Sequence, residues 1–344
     1  MPIATGSIIR RGRTRARVVF ALASAALMLV TFSGAMAGQQ AGARPVTAPS
    51  AGPQTQPGTR WSEAELKRAV AAVRVGRRLT PKAWPGGAKV AVCLTFDVDY
   101  EASNLVLGDT SPVALSEREY GAKVGLPRIL RLLDEHRLPA TFFFAAVNAM
   151  LHPESVAEIL KRGRHEIGVH GWIHENVVAL GSEAEERRLL RQAVEYLTKA
   201  AGKRPVGYRS PSWAFSPWTM ELIGEVGFAY DSSMMGMDEP YELLAEGRPT
   251  GIVELPVDWI LDDAPYFGRA GSLPSPELIF KTYRDEFDVA YREGTMLMLT
   301  FHPYVSGHRS RMVELEKLVT YMQAKPGVWF ATAEQVADYA KTQK

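Results

Sequence analysis

Lys89-Val-Ala-Val-Cys-Leu-Thr-Phe96, running straight into Asp97-Val98-Asp99, is the stretch on which the reading of this chain turns. It is apolar on nearly every position, whereas a strand with one wet face would alternate apolar and polar side chains. A run of this kind fits a strand buried on both faces in a parallel sheet. Downstream, short apolar runs alternate with helical patterns. Strands are expected at Ala140–Val147, Glu166–Val169, Val206–Tyr208, Phe228–Tyr230, Ile252–Leu255, Met296–Phe301 and Val328–Ala331. Helices are expected over Gly125–Arg137, Pro153–Arg164, Ser182–Ala201, Pro276–Arg292 and Ser310–Gln323, and from Thr332 onward. The alternation predicts an α/β fold, a parallel sheet or barrel wrapped by helices. In such folds chemistry gathers at the C-terminal ends of the strands.

That rule selects residues. The first strand ends in Asp97 and Asp99, and the Glu166 strand ends at His170 with His174 four positions on. The Val206 strand ends at Arg209, the Phe228 strand at Asp231 and the Met296 strand at His302. Strand interiors here are apolar, so five strands each ending in a charged or imidazole side chain is a pattern. His170-Gly-Trp-Ile-His174 can bring two imidazoles to one side through a helical turn or tight loop. Two histidines and a carboxylate form a common zinc set that leaves one position open for water. Asp97 and Asp99 both offer the carboxylate.

The 344 residues are 46% hydrophobic and 23% charged, which excludes a disordered or collagen-like chain. The net charge of +2 hides an asymmetry: the first 59 residues hold six arginines and no acid, so 34 basic side chains face all 38 acidic ones beyond them. No basic excess is left there to bind nucleic acid. The single cysteine, Cys93, excludes an intramolecular disulfide and a multi-cysteine metal site. Five arginines between Arg10 and Arg17 precede the apolar run Val18–Phe32 and the small-x-small site Ala35-Met36-Ala37. Residues 1–37 therefore read as a signal peptide cleaved after Ala37, giving an exported (periplasmic or extracellular) protein; the alternative is an uncleaved N-terminal membrane anchor. Residues 38–60, rich in Ala, Gly, Pro, Gln and Thr, read as a flexible linker, with one domain over 61–344.

From about Trp84 to Tyr339 the chain resembles the polysaccharide deacetylases (the NodB-homology, carbohydrate esterase family 4 group). The motifs occur in order as Thr95-Phe-Asp-Val-Asp99, His170-Gly-Trp-Ile-His174, Arg209-Ser-Pro-Ser-Trp213, Asp231-Ser-Ser233 and Leu299-Thr-Phe-His-Pro303. The resemblance implies a distorted (β/α) barrel of about seven parallel strands and a divalent metal, usually zinc. It implies Asp97 as general base, Asp99 with His170 and His174 as metal ligands, Arg209 as the ion-pair partner of the base, and His302 as general acid. The usual motif has adjacent aspartates; here Val98 separates them, which leaves open whether Asp97 or Asp99 is the base. The separated form, with Trp84 near the start and His302-Pro303 followed by Gly307 near the end, is similar to the branch with peptidoglycan deacetylase-like and allantoinase-like members. That branch also includes oligomers, so a homo-oligomer is an expectation of the resemblance.

Three functions follow. The first is metal-dependent N-deacetylation of an N-acetylated glycan such as peptidoglycan or a chitin-like oligosaccharide, which export supports. The second is hydrolysis of a small cyclic amide. The third is a non-catalytic glycan-binding module, against which the retained acid–base pair argues. Asp231 is expected to orient His302, or else to cap a turn. Trp213, Trp172 and Tyr100 are candidate substrate contacts, and a backbone N–H near Trp172 or Tyr100 is a candidate oxyanion donor. The long segment Glu101–Gly121 reads as a loop that narrows the site or mediates subunit contacts.

Overall fold

A computed structural model describes residues 56–268 and 273–342. Residues 1–55, read above as signal peptide and linker, lie outside the described residues, and a compact unit spans Pro57–Lys344. Within it ten strands form one curled sheet: β1 Val73–Arg78, β2 Val90–Val98, β3 Thr141–Phe144, β4 Glu166–Val169, β5 Gly207–Tyr208, β6 Tyr230–Asp231, β7 Tyr241–Ala245, β8 Arg248–Glu254, β9 Met296–Phe301 and β10 Val328–Phe330. From β8 the parallel order runs through β6, β5, β4 and β3 to β2, and β9 pairs with the other side of β2. A bridge from Asp262 to Thr300 brings the chain beyond β8 back to β9. Those seven strands curl into a distorted barrel. β10 lies beside the N-terminal half of β2, and β7 and β1 extend antiparallel from β8. The antiparallel pair was not foreseen, because β1 (Val73-Arg-Val-Gly-Arg-Arg78) is mostly polar.

Side-chain parity along β2 separates two cores. Val90, Val92, Leu94, Phe96 and Val98 pack outward under the helices, while Ala91 and Cys93 face inward. The same inward parity continues through Thr95, Asp97 and Asp99, so the barrel lining turns from apolar to acidic toward its C-terminal mouth. β9 repeats this: Leu297, Leu299 and Phe301 pack outward, Met296 and Met298 inward, and the inward parity reaches His302.

Two expectations need correction. The β3 strand ends at Phe144, and Ala146–Leu151 is helical. The segment after β2 is not a loop: Ala102–Leu105 and Pro112–Tyr120 are helices, and the second runs through a π turn at Gly121–Gly125 into the helix Leu126–His136. Gly121 and Gly125 serve close approach. A Cβ on Gly125 would lie 2.0 Å from the Pro303 carbonyl oxygen, so only glycine lets this turn dock on the segment after His302. π turns of this kind are often found at functional sites.

Candidate active site and metal centre

Asp99, His170 and His174 converge at the mouth of the barrel. One ligand atom from each lies within 4.8 Å of the others. His170 Nε2 is 3.5 Å from Asp99 Oδ1, and His174 Nε2 is 3.4 Å from Asp99 Oδ2. A tight loop, not a helix, sets the H-x3-H spacing: Gly171 and His174 both have positive φ, 73° and 62°. His170 Nδ1–H donates to the Arg209 carbonyl at 2.8 Å, which fixes the tautomer and directs the Nε2 lone pair at the cluster. Burial lowers the His170 pKa against the pull of Asp97 and Asp99, favouring the neutral ligating form. Asp99 Oδ1 is buried without a hydrogen-bond partner. A buried carboxylate oxygen with no donor is costly unless something else satisfies it. Burial would raise the Asp99 pKa, but His174, His302 and His170 outweigh it and hold it at about 2. The donor set, its spacing and the orphaned oxygen fit a divalent cation such as zinc.

Asp97 stands beside this set. Its Oδ1 accepts from Arg209 Nη1 at 2.7 Å, and its Oδ2 is 3.9 Å from His170 Nε2. Arg209 is wholly buried, and each of its three nitrogens donates: besides Asp97 it binds Thr95 Oγ1, the Ser232 carbonyl and Ser232 Oγ, with its guanidinium 4.2 Å above the Phe143 ring.

His302 closes the other side, its Nε2 3.4 Å from Asp99 Oδ2. Its Nδ1 pairs with Asp263 Oδ1 at 2.7 Å, and Asp263 Oδ2 accepts the His302 backbone N–H and the Ser306 hydroxyl. Burial alone would lower the His302 pKa; Asp99 and Asp263 outweigh it and raise it well above the ordinary histidine value. Asp262 stands 3.6 Å from His302 Nδ1, and burial pushes its carboxyl up to about 7. Asp262, Asp263 and His302 also lie close enough to share an ion. Both Asp263 oxygens and His302 Nδ1 are already engaged with one another and with Ser306, and Asp262 Oδ1 accepts the Ala264 N–H, so this set serves the imidazolium.

The sequence reading missed Asp262 and Asp263, which lie well beyond β8 and join the site only through the bridge to β9. It also missed Asn148, which is fully buried. Asn148 Nδ2 donates to the Val98 and Asp99 carbonyls at 2.7 and 2.5 Å, and its Oδ1 accepts the Ala102 N–H at 3.1 Å. This amide clamps the backbone around Asp99.

Four expected contacts fall elsewhere. Asp231 does not reach His302. Tyr230 faces the inner core, so Asp231 takes the opposite parity and accepts from Ser233 N–H and Oγ. It lies against Glu254; burial raises both carboxyl pKa values, Asp231 to about 6, and each is affected by the other. Tyr100, one position past Asp99, likewise turns outward and is fully buried, its ring edge-on to His152 and tight against Gly121. Trp172 packs edge-on against Tyr196, and its backbone N–H donates to the Glu175 carboxylate, so it is not the oxyanion donor. Trp213 is buried beneath Trp259, with ring centroids 4.1 Å apart, and Trp259 presents the exposed face.

A profile of the polysaccharide deacetylase family matches residues 85–230. The peptidoglycan deacetylase of Helicobacter pylori is 33% identical over 282 residues, covering 73% of this chain and 96% of that protein. The crystal structure of a Mycobacterium smegmatis protein assigned to the polysaccharide deacetylases is 37% identical, covers 78% of this chain and 96% of its own, and superposes with a TM-score of 0.71. Puue allantoinase, also solved as a crystal structure, is 26% identical with a TM-score of 0.69, covering 77% of this chain and 93% of its own. The chain belongs to the polysaccharide deacetylase family, a family of amide-bond hydrolases.

Proposed function

We propose that this protein is a metal-dependent N-deacetylase of an N-acetylated glycan, with peptidoglycan as the preferred polymer. The observation that carries the reading is the Asp99 carboxylate between the His170 and His174 imidazoles, its Oδ1 without a donor, with Asp97 near His170 on one side and His302 on the other. The likeness to the Helicobacter pylori peptidoglycan deacetylase supports the choice of polymer. Residues 1–37, read as an export signal, would deliver the protein to where such polymers lie.

Asp99, His170 and His174 are the residues that would hold the cation. When bound there, a divalent metal lowers the pKa of water and polarises a carbonyl oxygen. Asp97 takes the proton of the attacking water, held and aimed by the Arg209 hydrogen bond to its Oδ1. The Tyr100 backbone N–H, next to Asp99, is the remaining oxyanion donor. His302 gives a proton to the leaving nitrogen, which cannot depart as an anion, and Asp263 keeps it charged and oriented.

Chelation is expected to abolish acetate release from peptidoglycan strands and chitooligosaccharides, and Zn²⁺ to restore it. Activity that survives chelation would remove the metal from the mechanism. Opening of the allantoin ring without acetate release would favour the small cyclic amide, for which Puue allantoinase is the precedent. Cation binding with neither product would leave a glycan-binding module. Asn148→Ala is expected to weaken Zn²⁺ affinity by roughly tenfold to a hundredfold, the usual effect of losing a group that orients a ligand. Titration of the metal-free variant measures it; unchanged affinity would reduce Asn148 to packing.

A further inference from the structure

Arg118 is a cation that neither the catalytic set nor the core accounts for. It lies on the helix Pro112–Tyr120, which packs against the short helix Pro303–Ser306 that follows His302. Its guanidinium carbon lies 3.9 Å over the Tyr304 ring, and that ring stands edge-on to His302 with centroids 5.8 Å apart. Arg118 Nε donates to Asn104 Oδ1 at 3.0 Å, and Asn104 is fixed in turn by Asp109, 3.1 Å from its Nδ2. The fork is thus held from two sides. Among the described residues no carboxylate forms an ion pair with Arg118.

A half-buried guanidinium in this position has an electrostatic consequence. It opposes a cation held on Asp99, His170 and His174, since like charges repel through a poorly screened interior. A purely structural arginine would be expected to carry a carboxylate partner, as Arg209 does with Asp97. An orienting stack and a single Nε bond leave the terminal amino groups in a planar fork, the geometry that grips a carboxylate in two parallel hydrogen bonds. An anion arriving there would also cancel the repulsion.

We propose that Arg118 is a specificity-determining residue that binds a carboxylate on the substrate beside the scissile acetamide. This deepens the deacetylase reading and rests on it for the reaction, though not for the binding. Chitin-like glycans carry no such group. A glycan strand of peptidoglycan freed of its peptides does, on the lactyl ether of each muramic acid.

The test uses the Zn²⁺-loaded full chain and one glycan preparation in two forms: peptide-free strands with free lactyl carboxylates, and the same strands with those carboxylates converted to methylamides. Acetate release is expected to favour the carboxylate form by roughly tenfold in kcat/KM, carried by KM, as suits one charge-assisted bidentate contact. Arg118→Gln should bring that ratio near one, and Arg118→Lys should keep part of it. A wild-type ratio near one, or an unchanged ratio in Arg118→Gln, would overturn the assignment. Calorimetry with N-acetylmuramic acid and its methylamide reads Arg118 without turnover. A Kd preference lost in Arg118→Gln, with no acetate from any strand, would sustain the carboxylate site and sink the deacetylase reading. Acetate release with equal Kd values would do the reverse.

Discussion

Asp97→Asn is expected to bind its cation with the wild-type stoichiometry and to lose acetate release by about 10²–10⁴, the range ascribed to a single acid–base group. The geometry separates the two aspartates that the sequence leaves undivided. Asp99 is the carboxylate grouped with His170 and His174, and it has the unsatisfied oxygen. Asp97 is bound to Arg209 through Oδ1 and keeps Oδ2 toward the centre. Asparagine preserves the shape and an acceptor for Arg209, but it cannot take a proton from water. It also leaves the buried guanidinium without its counter-charge. Removing one partner of a buried ion pair costs about 3–5 kcal/mol, so a lower melting temperature should accompany the lost turnover. Metal content measured on the folded variant separates the two effects. His170→Ala should lose cation and turnover together. Full activity in Asp97→Asn would transfer the base role to Asp99, and loss of cation would make Asp97 a ligand.

The legible part of this site is the part written at strand ends. β2, β4 and β9 carry their site residues on the last turn of an apolar run, so Asp97, Asp99, His170 and His302 stood out, and Arg209 followed β5 in the same way. Parity was available too and was not applied: counting by twos from the inward Tyr230 passes over Asp231 and arrives at Ser232, which is the residue that receives Arg209. Counting from Asp97 and Asp99 turns Tyr100 outward in the same way. Asp263, Asn148 and Arg118 had no comparable signal. Asp263 precedes a short helix beyond β8 and meets His302 only because the barrel closes there. Asn148 lies in a helix that the apolar run Ala140–Val147 disguised as more strand. Arg118 lies in the segment Glu101–Gly121, whose length between a strand and a helix read as loop, although it is helical and Gly121 packs close against Tyr100. Local pattern shows what a strand end offers; which distant side chain answers it depends on barrel closure.

His302→Gln is expected to lower acetate release from the glycan amide by about 10²–10⁴ while sparing hydrolysis of a p-nitrophenyl acetate ester to within roughly tenfold. The asymmetry follows from the leaving group. An amine must be protonated as it departs, whereas a nitrophenolate leaves unaided, so only the amide needs a general acid. Equal losses on amide and ester would remove His302 from that role. The pH profile gives a second check. The His302 pKa is raised above its ordinary value, so amide hydrolysis is expected to fall only as the pH rises through that higher value. Three carboxylates produce the rise, Asp99 first, then Asp263 and Asp262. A cation on Asp99 cancels the first contribution, which leaves the 2.7 Å bond to Asp263 Oδ1 as the larger support that persists in the loaded enzyme, with Asp262 behind it. Asp263→Asn should therefore move the alkaline limb toward lower pH, with metal content unchanged. An alkaline limb that stays in place would mean that another group, not the His302–Asp263 pair, supplies the proton.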